Sequence, residues 1–476
     1  MEEQLLEACS NGKVEEVIKL LGTNGQDLNS KKPFSVACRK GHLEVVKLLL
    51  NEQRVNINQV PNTREETPFY EACEKGHIEI VELLLNDKRV HINKPNANEQ
   101  TPFYIACRNG HIDIVKLLLQ DKRVDINRAD HEYRETPFSI ACKKRHIEIV
   151  KLLLNDERID INGLTPFYIA CVLGRIEDVK LLLNDERADV NKSSKANQYY
   201  QTPFWTACKY KYIEIVKLLL DDKRVDINKA NKDGATPLYI ACKKGHTEIV
   251  KLLLNDERTE NINKVDRHGQ APFFIACQKG YIEIVKLLLN DKRIDINKGG
   301  RSKPFYVACD NGHIEIVKLL LNDERIDINK AANDWGISYK TPFWIACEKG
   351  YIEIVKLLLN DERIDISKAD NNGWTAFFIA CQKGQVGIVK LLFQDRRVND
   401  DINKLNDNGQ TPFYVACENG HIEIVSLFLE NPRGNLFFCS VNKSLKWYVK
   451  KIVDKNVKLK ENGQAALETA QKIFEC

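Results

Sequence analysis

The sequence predicts an all-α protein, an α-solenoid of stacked helix-turn-helix units. Three observations predict it. The phrase TPFYIACRNGHIDIVKLLL at Thr101 returns as TPFSIACKKRHIEIVKLLL at Thr136 and as TPFWIACEKGYIEIVKLLL at Thr341. From Thr67 to Thr411 successive copies start 34, 35, 29, 37, 34, 35, 32, 38, 34 and 36 residues apart, a period in the range of solenoids. Each copy also carries more apolar surface than one helix pair can bury. At ~1.5–3 kcal/mol per buried aliphatic side chain, a neighbouring pair is what stabilises it.

The elements of one copy follow in order. Thr101 is a good N-cap and Pro102 fits the first helical position, so this pair opens a helix of about two turns. Phe103, Ile105 and Ala106 supply its apolar contacts, and Gly110 fits the left-handed residue that ends it. His111 and Asp113 start a second helix, whose Ile112, Ile114, Val115, Leu117, Leu118 and Leu119 form a face broad enough to be covered on more than one side. Thirteen copies start between Glu3 and Thr411, and two weaker ones follow near Asn435 and Ala465. Arg145 and Lys211 replace the Gly that ends the first helix, where a non-Gly residue costs ~1–2 kcal/mol.

The pattern T-P-F-Y-x-A-C-x-x-G-H-I-E-I-V-K-L-L-L, followed by D-I-N and a polar loop, resembles the ankyrin repeat over almost the whole chain. The resemblance implies paired helices, β-hairpin-like fingers between units, a concave groove and binding of partner proteins through the fingers and the ends of the first helices. Three departures stand out. The family's His after T-P-L is here Tyr, Trp, Phe or Ser, and its second Ala is Cys. The second helix ends in N-D-E-R or N-D-K-R, one residue longer than a Gly-containing turn, which largely accounts for a period of 34 rather than 33. Residues 1–31 read as an N-terminal capping repeat with Glu15 and Glu16 on its outer face, and 32–434 as twelve repeats. Residues 435–476 read as a degenerate repeat and a C-terminal capping half-repeat.

The chain has 476 residues, 43% of them apolar and 29% charged, with a net charge of +4. Such a balance does not mark a nucleic-acid or membrane binder. No apolar run is long enough to span a bilayer, and MEEQLLEACS lacks a signal-peptide core. Thirteen of fifteen cysteines recur at one position, a whole repeat apart. Stacked helices lie ~8–10 Å apart, beyond the ~7 Å Cα limit for a disulfide. A reducing compartment follows, the cytoplasm, with the nucleus left open. A monomer is expected.

Nucleotide, zinc-protease and hydrolase motifs are missing, and there is no C-x-x-C. The recurrent H-I-E, as at His77, lacks the P-C-x-x-C of a zinc deaminase. A helix-start role for these histidines and a packing role for the cysteines account for both rows. The reading is of a chain that is not an enzyme and needs no cofactor or metal.

Candidate binding residues come from three rows. The residue pairs at the ends of the first helices are basic along one stretch: the first eight, Arg39-Lys40 to Gln278-Lys279, sum to +9, and the last four, Asp310-Asn311 to Glu418-Asn419, to −1. Arg39, Lys40, Arg108, Lys143, Lys144, Lys209, Tyr210, Lys243, Lys244 and Lys279, with Arg145 beside them, form a surface for an acidic peptide or protein. The alternative is a solvated Lys-rich face. Long fingers carry Tyr199, Tyr200, Trp335 and Tyr339, as binding loops on rigid scaffolds do. The residues after Pro-Phe, from Tyr70 to Tyr414, align as an aromatic row that seals seams and leaves part of each ring to a ligand. These rows favour an interaction scaffold. A structural spacer, and an adaptor that recruits a bound protein to an enzyme such as a ubiquitin ligase through 435–476, stand as alternatives.

Overall fold

A computed structural model describes residues 2–23, 27–60, 63–163, 166–193, 200–333 and 339–430. Twenty-six helices within them form thirteen successive pairs, from Glu2–Asn11 with Val14–Leu21 to Pro412–Glu418 with Ile422–Glu430. The pairs coincide with the thirteen copies of the sequence phrase. The capping segment expected at 435–476 lies outside the described residues.

The chain divides into two compact units, Met1–Lys232 and Asp233–Cys476, the first with seven pairs and the second with six. Within each unit, first helices pack on the first helices of their neighbours, and second helices on second helices. At one seam of the first unit, Ile147–Leu154 and Ile176–Leu183 barely meet, and the first helices carry the packing.

Local chemistry sets the helix ends as expected. The Oγ1 atoms of Thr67, Thr101, Thr136, Thr202, Thr236, Thr341, Thr375 and Thr411 accept the N–H three residues on, at 3.1–3.2 Å. Gly110 ends its helix at φ 83°. Arg145 and Lys211 adopt the same left-handed conformation at φ 66° and 64°, the strain their positions predict.

Between the helix layers, the Phe of each Pro-Phe and the Ala-Cys pair form the core. All thirteen recurrent cysteines are buried and free. Burial pushes their thiols up, those of Cys9 and Cys417 to about 12, which favours the neutral thiol of a packing residue.

The fingers are hairpin-like turns more often than paired strands. Among the described residues a single finger forms strands, Ala332–Asn333 against Tyr339–Lys340, antiparallel with Ala332 opposite Lys340. Four other fingers are turns built on one side chain. The Asp266 Oδ1 accepts the N–H groups of His268 and Gln270, both at 2.9 Å, and one backbone bond from Asp266 to Gln270 closes the base. Asn96, Asp370 and Asn406 do the same. An Asx side chain that satisfies the tip removes the need for a strand ladder.

Candidate functional site

What a repeat offers a partner is what its seams leave over. Three fasteners recur in the seams, and periodicity had not assigned them. The first is the histidine. His42, His77, His111, His146, His313 and His421 precede their helices without capping them through the side chain. Each turns back to the preceding repeat, where Nε2 lies 2.8–3.1 Å from a backbone carbonyl oxygen, as His77 does on Arg39. The ring covers the glycine that ends the earlier helix: a Cβ on Gly41 would sit 2.6 Å from His77. Glycine is therefore required there twice, by its positive φ and by the ring above it. Tyr212 and Gln385 take the same seat over Gly174 and Gly350 and reach Val172 O and Glu348 O.

The second fastener is the Asn of D-I-N. The Asn93 side chain donates to Arg123 O at 2.7 Å and accepts from Asp125 N at 2.8 Å, pairing both its ends with the backbone of the next repeat. Asn58, Asn127, Asn162, Asn191, Asn263, Asn297 and Asn329 repeat the arrangement. The third is the Arg of N-D-E-R. Arg158 holds Asp156 through two nitrogens and donates to Leu119 O at 2.7 Å, one of the orphan carbonyls at the end of the preceding repeat's second helix. This explains the extra residue of the turn, which brings the guanidinium level with that helix end.

The aromatic row belongs to the seams too, and the expectation that part of each ring faces a ligand is corrected. Tyr70, Tyr104, Trp205, Tyr239, Phe274, Trp344 and Phe378 are buried. Their polar tips are held by the fingers: Tyr104 Oη donates to Asp130 and Tyr239 Oη to Asp266, and the Trp344 indole N–H donates to Trp374 O at 2.9 Å. Tyr168 and Tyr414 are half-buried.

The ends of the first helices are left over. Arg39, Lys40, Arg108, Lys143, Lys144, Arg145, Tyr210, Lys243, Lys244 and Lys279 are exposed, and Lys209 is half-buried. Two of the cations are partly committed. Lys143 Nζ lies 2.7 Å from the buried Glu135 carboxylate and over the Tyr133 ring, and Arg39 lies 3.8 Å from buried Glu71. Lys209 sits over Trp205 and Tyr210, and Lys243 over Tyr239. Lys40, Arg108, Lys144, Lys244 and Lys279 form no ion pair among the described residues. Residues 39 to 210 of this row stand on the first unit, and Lys243, Lys244 and Lys279 on the second. In the fingers, Tyr200 and Tyr339 are exposed, while Tyr199 and Trp335 lie outside the described residues.

With this geometry in place, comparison with protein families is decisive. A model described as ankyrin repeats (3 copies) matches residues 5–96, 55–130, 123–194, 190–266, 258–332 and 305–402, and one described as ankyrin repeats (many copies) matches 397–429. The chain belongs to the ankyrin-repeat family. No curated protein matches it.

The ankyrin pattern is broken most sharply in the sixth repeat, whose helices are Pro166–Val172 and Ile176–Leu183. Arg175 replaces the fastening histidine, and Arg145 replaces the glycine it would cover. Here the Arg175 side chain takes the place of the ring. The Arg175 guanidinium instead donates to Cys142 O and, at 2.9 Å, to Lys143 O. Asp178 stands where the ankyrin repeats from the third onward otherwise have Ile. It is buried 3.8 Å from Arg175, and desolvation raises its pKa against the pull of that cation. Arg145→Gly is expected to stabilise the chain by about 1 kcal/mol by relieving the left-handed strain, while weakening a partner held by the cations beside it. Urea melts and binding of the captured partner check the two halves separately.

Proposed function

We propose that this chain is a non-enzymatic interaction scaffold that holds partner proteins with the ends of its first helices and its fingers. The observation that supports this is a contrast inside each repeat. The core and seam residues recur almost unchanged from copy to copy, whereas the exposed pair at the first-helix end runs through Arg39-Lys40, Glu74-Lys75, Val172-Leu173, Lys209-Tyr210 and Asp310-Asn311. A spacer needs no such variety. The basic character of the row favours partners with acidic surfaces, by charge complementarity.

The test is a cross-linking pull-down from source cells with the native chain and with a chain carrying Glu at Lys143, Lys144, Lys243 and Lys244. Loss of specific partners from the reversed chain is the expected result. An unchanged partner list removes the basic row from the reading, and an empty list from the native chain overturns the scaffold.

A further inference from the structure

Nine large apolar side chains are exposed among the described residues; Ile18, Tyr339, Leu405 and Ile422 are scattered, and the other five fall on repeats five to seven and their fingers. Leu173 (46% exposed), Ile176 and Tyr210 (46% exposed) lie on consecutive repeats of the first unit. Leu173 follows Pro166–Val172, Ile176 opens the helix behind it, and Tyr210 ends Pro203–Tyr210. Leu173 and Tyr210 occupy the second place of the first-helix end, where repeats two to five and eight to thirteen carry Lys or Asn. The helices Pro137–Lys144, Pro166–Val172 and Pro203–Tyr210 pack side by side, so their ends adjoin. On one side of the apolar pair stand Lys143, Lys144 and Arg145, and on the other Lys209 and Lys211. Lys144 and Arg145 form no ion pair among the described residues.

The surroundings leave this place open. Only a few residues separate Asn162 from Pro166, so the finger that elsewhere rises between repeats is cut short here. The exposed rings of Tyr133 and Tyr200 belong to the fingers that precede the two flanking helices. The anionic side chains nearby are already engaged: Glu135 with Lys143, Glu177 with Lys180, and buried Asp178 with Arg175.

We infer that repeats five to seven form a docking site for an acidic peptide segment bearing a large apolar anchor, with Leu173, Ile176 and Tyr210 receiving the anchor and Lys144 and Arg145 its carboxylates. This rests on the scaffold reading and narrows it to one block and one partner chemistry. The choice of occupant follows from the charges. A basic segment would meet uncompensated cations, and a purely apolar one would leave Lys144 and Arg145 without counterions. Aromatic and aliphatic anchors in such settings dominate binding, while rim charges set specificity and association rate.

The test selects binders from a random twelve-residue peptide library against the full chain, then measures their affinity for variants. The result expected is enrichment of sequences with Asp or Glu flanking Leu, Phe or Trp. Their binding is expected to fall about tenfold or more in Leu173→Ser with Tyr210→Ser, to fall in Lys144→Glu, and to weaken with added salt. All three positions are exposed, so melting curves matching the native chain are expected. Basic or uncharged consensus sequences overturn the inference. So do acidic binders whose affinity the variants leave unchanged, though these keep the scaffold reading. Failure to select any peptide, with partners still captured from cells, likewise overturns this site alone. Failure of both experiments removes both readings.

Discussion

Trp344→Ala is expected to destabilise the second compact unit by about 3–5 kcal/mol, the usual cost of truncating a fully buried large aromatic. The Trp344 ring is 1% exposed. Its indole N–H donates to Trp374 O in the next finger, and the Lys340 ammonium lies 4.2 Å from a ring centroid. The substitution therefore leaves a cavity and detaches two fingers from the helix between them. Stability in repeat arrays is a sum of unit terms and nearest-neighbour terms, so the loss should be local. Hydrogen exchange is the measurement. Protection is expected to fall first in Pro342–Lys349 and Ile352–Leu359 and to persist in the Met1–Lys232 unit. Trp344→Phe is expected to cost only about 1 kcal/mol, because Trp374 O keeps its bond from Asp370 N. A uniform loss along the whole chain, or none, would contradict the seam role of the aromatic row.

The second large effect concerns pH. Glu71 stands in the core at the place that holds Ile in Ile105, Ile140, Ile240, Ile275, Ile345 and Ile379, and it is 2% exposed. Desolvation raises its pKa to about 7, opposed by a hydrogen bond from the Ser35 hydroxyl and by Arg39 at 3.8 Å. The unfolded chain titrates near the ordinary value of 4.5. Between these two values the folded state holds the extra proton, so this residue's contribution to stability is greatest below 4.5 and falls as pH rises to about 7, then levels. The drop is on the order of 3 kcal/mol from this residue. Glu71→Gln is expected to abolish that slope and to be more stable than the native chain by a similar amount at pH 8, with little difference at pH 4. Urea midpoints of both chains across this range decide it; parallel curves would show that the carboxylate is solvated.

The two residues also mark what the sequence made legible. Helix pairs, Thr caps, Gly ends and the cysteine row were readable because each follows from chemistry within a few residues. The fasteners were not. His77, Asn93 and Arg158 each bind a partner 30 to 39 residues away, and in a repeating sequence every position recurs at nearly that spacing. Periodicity then shows that repeats touch without showing which positions do. The sequence reads the aromatic row as packing with part of each ring left to a ligand for the same reason, since nothing local distinguishes a fully covered seam ring from a partly exposed one. The charges at the first-helix ends were legible as a row. Leu173 was hidden there because counting charge scores Val172-Leu173 as blank, and the signal was the loss of Lys or Asn from that place.

One consequence of the fasteners concerns repeat number rather than binding. Because His, Asn and Arg fit the same sockets at most seams, a duplicated or deleted repeat meets ready-made joints on both sides. A chain with one repeat added or removed inside a compact unit is therefore expected to fold. At the junction where Arg145 meets Arg175 the socket differs: a join made between those two residues would set a histidine ring against an arginine.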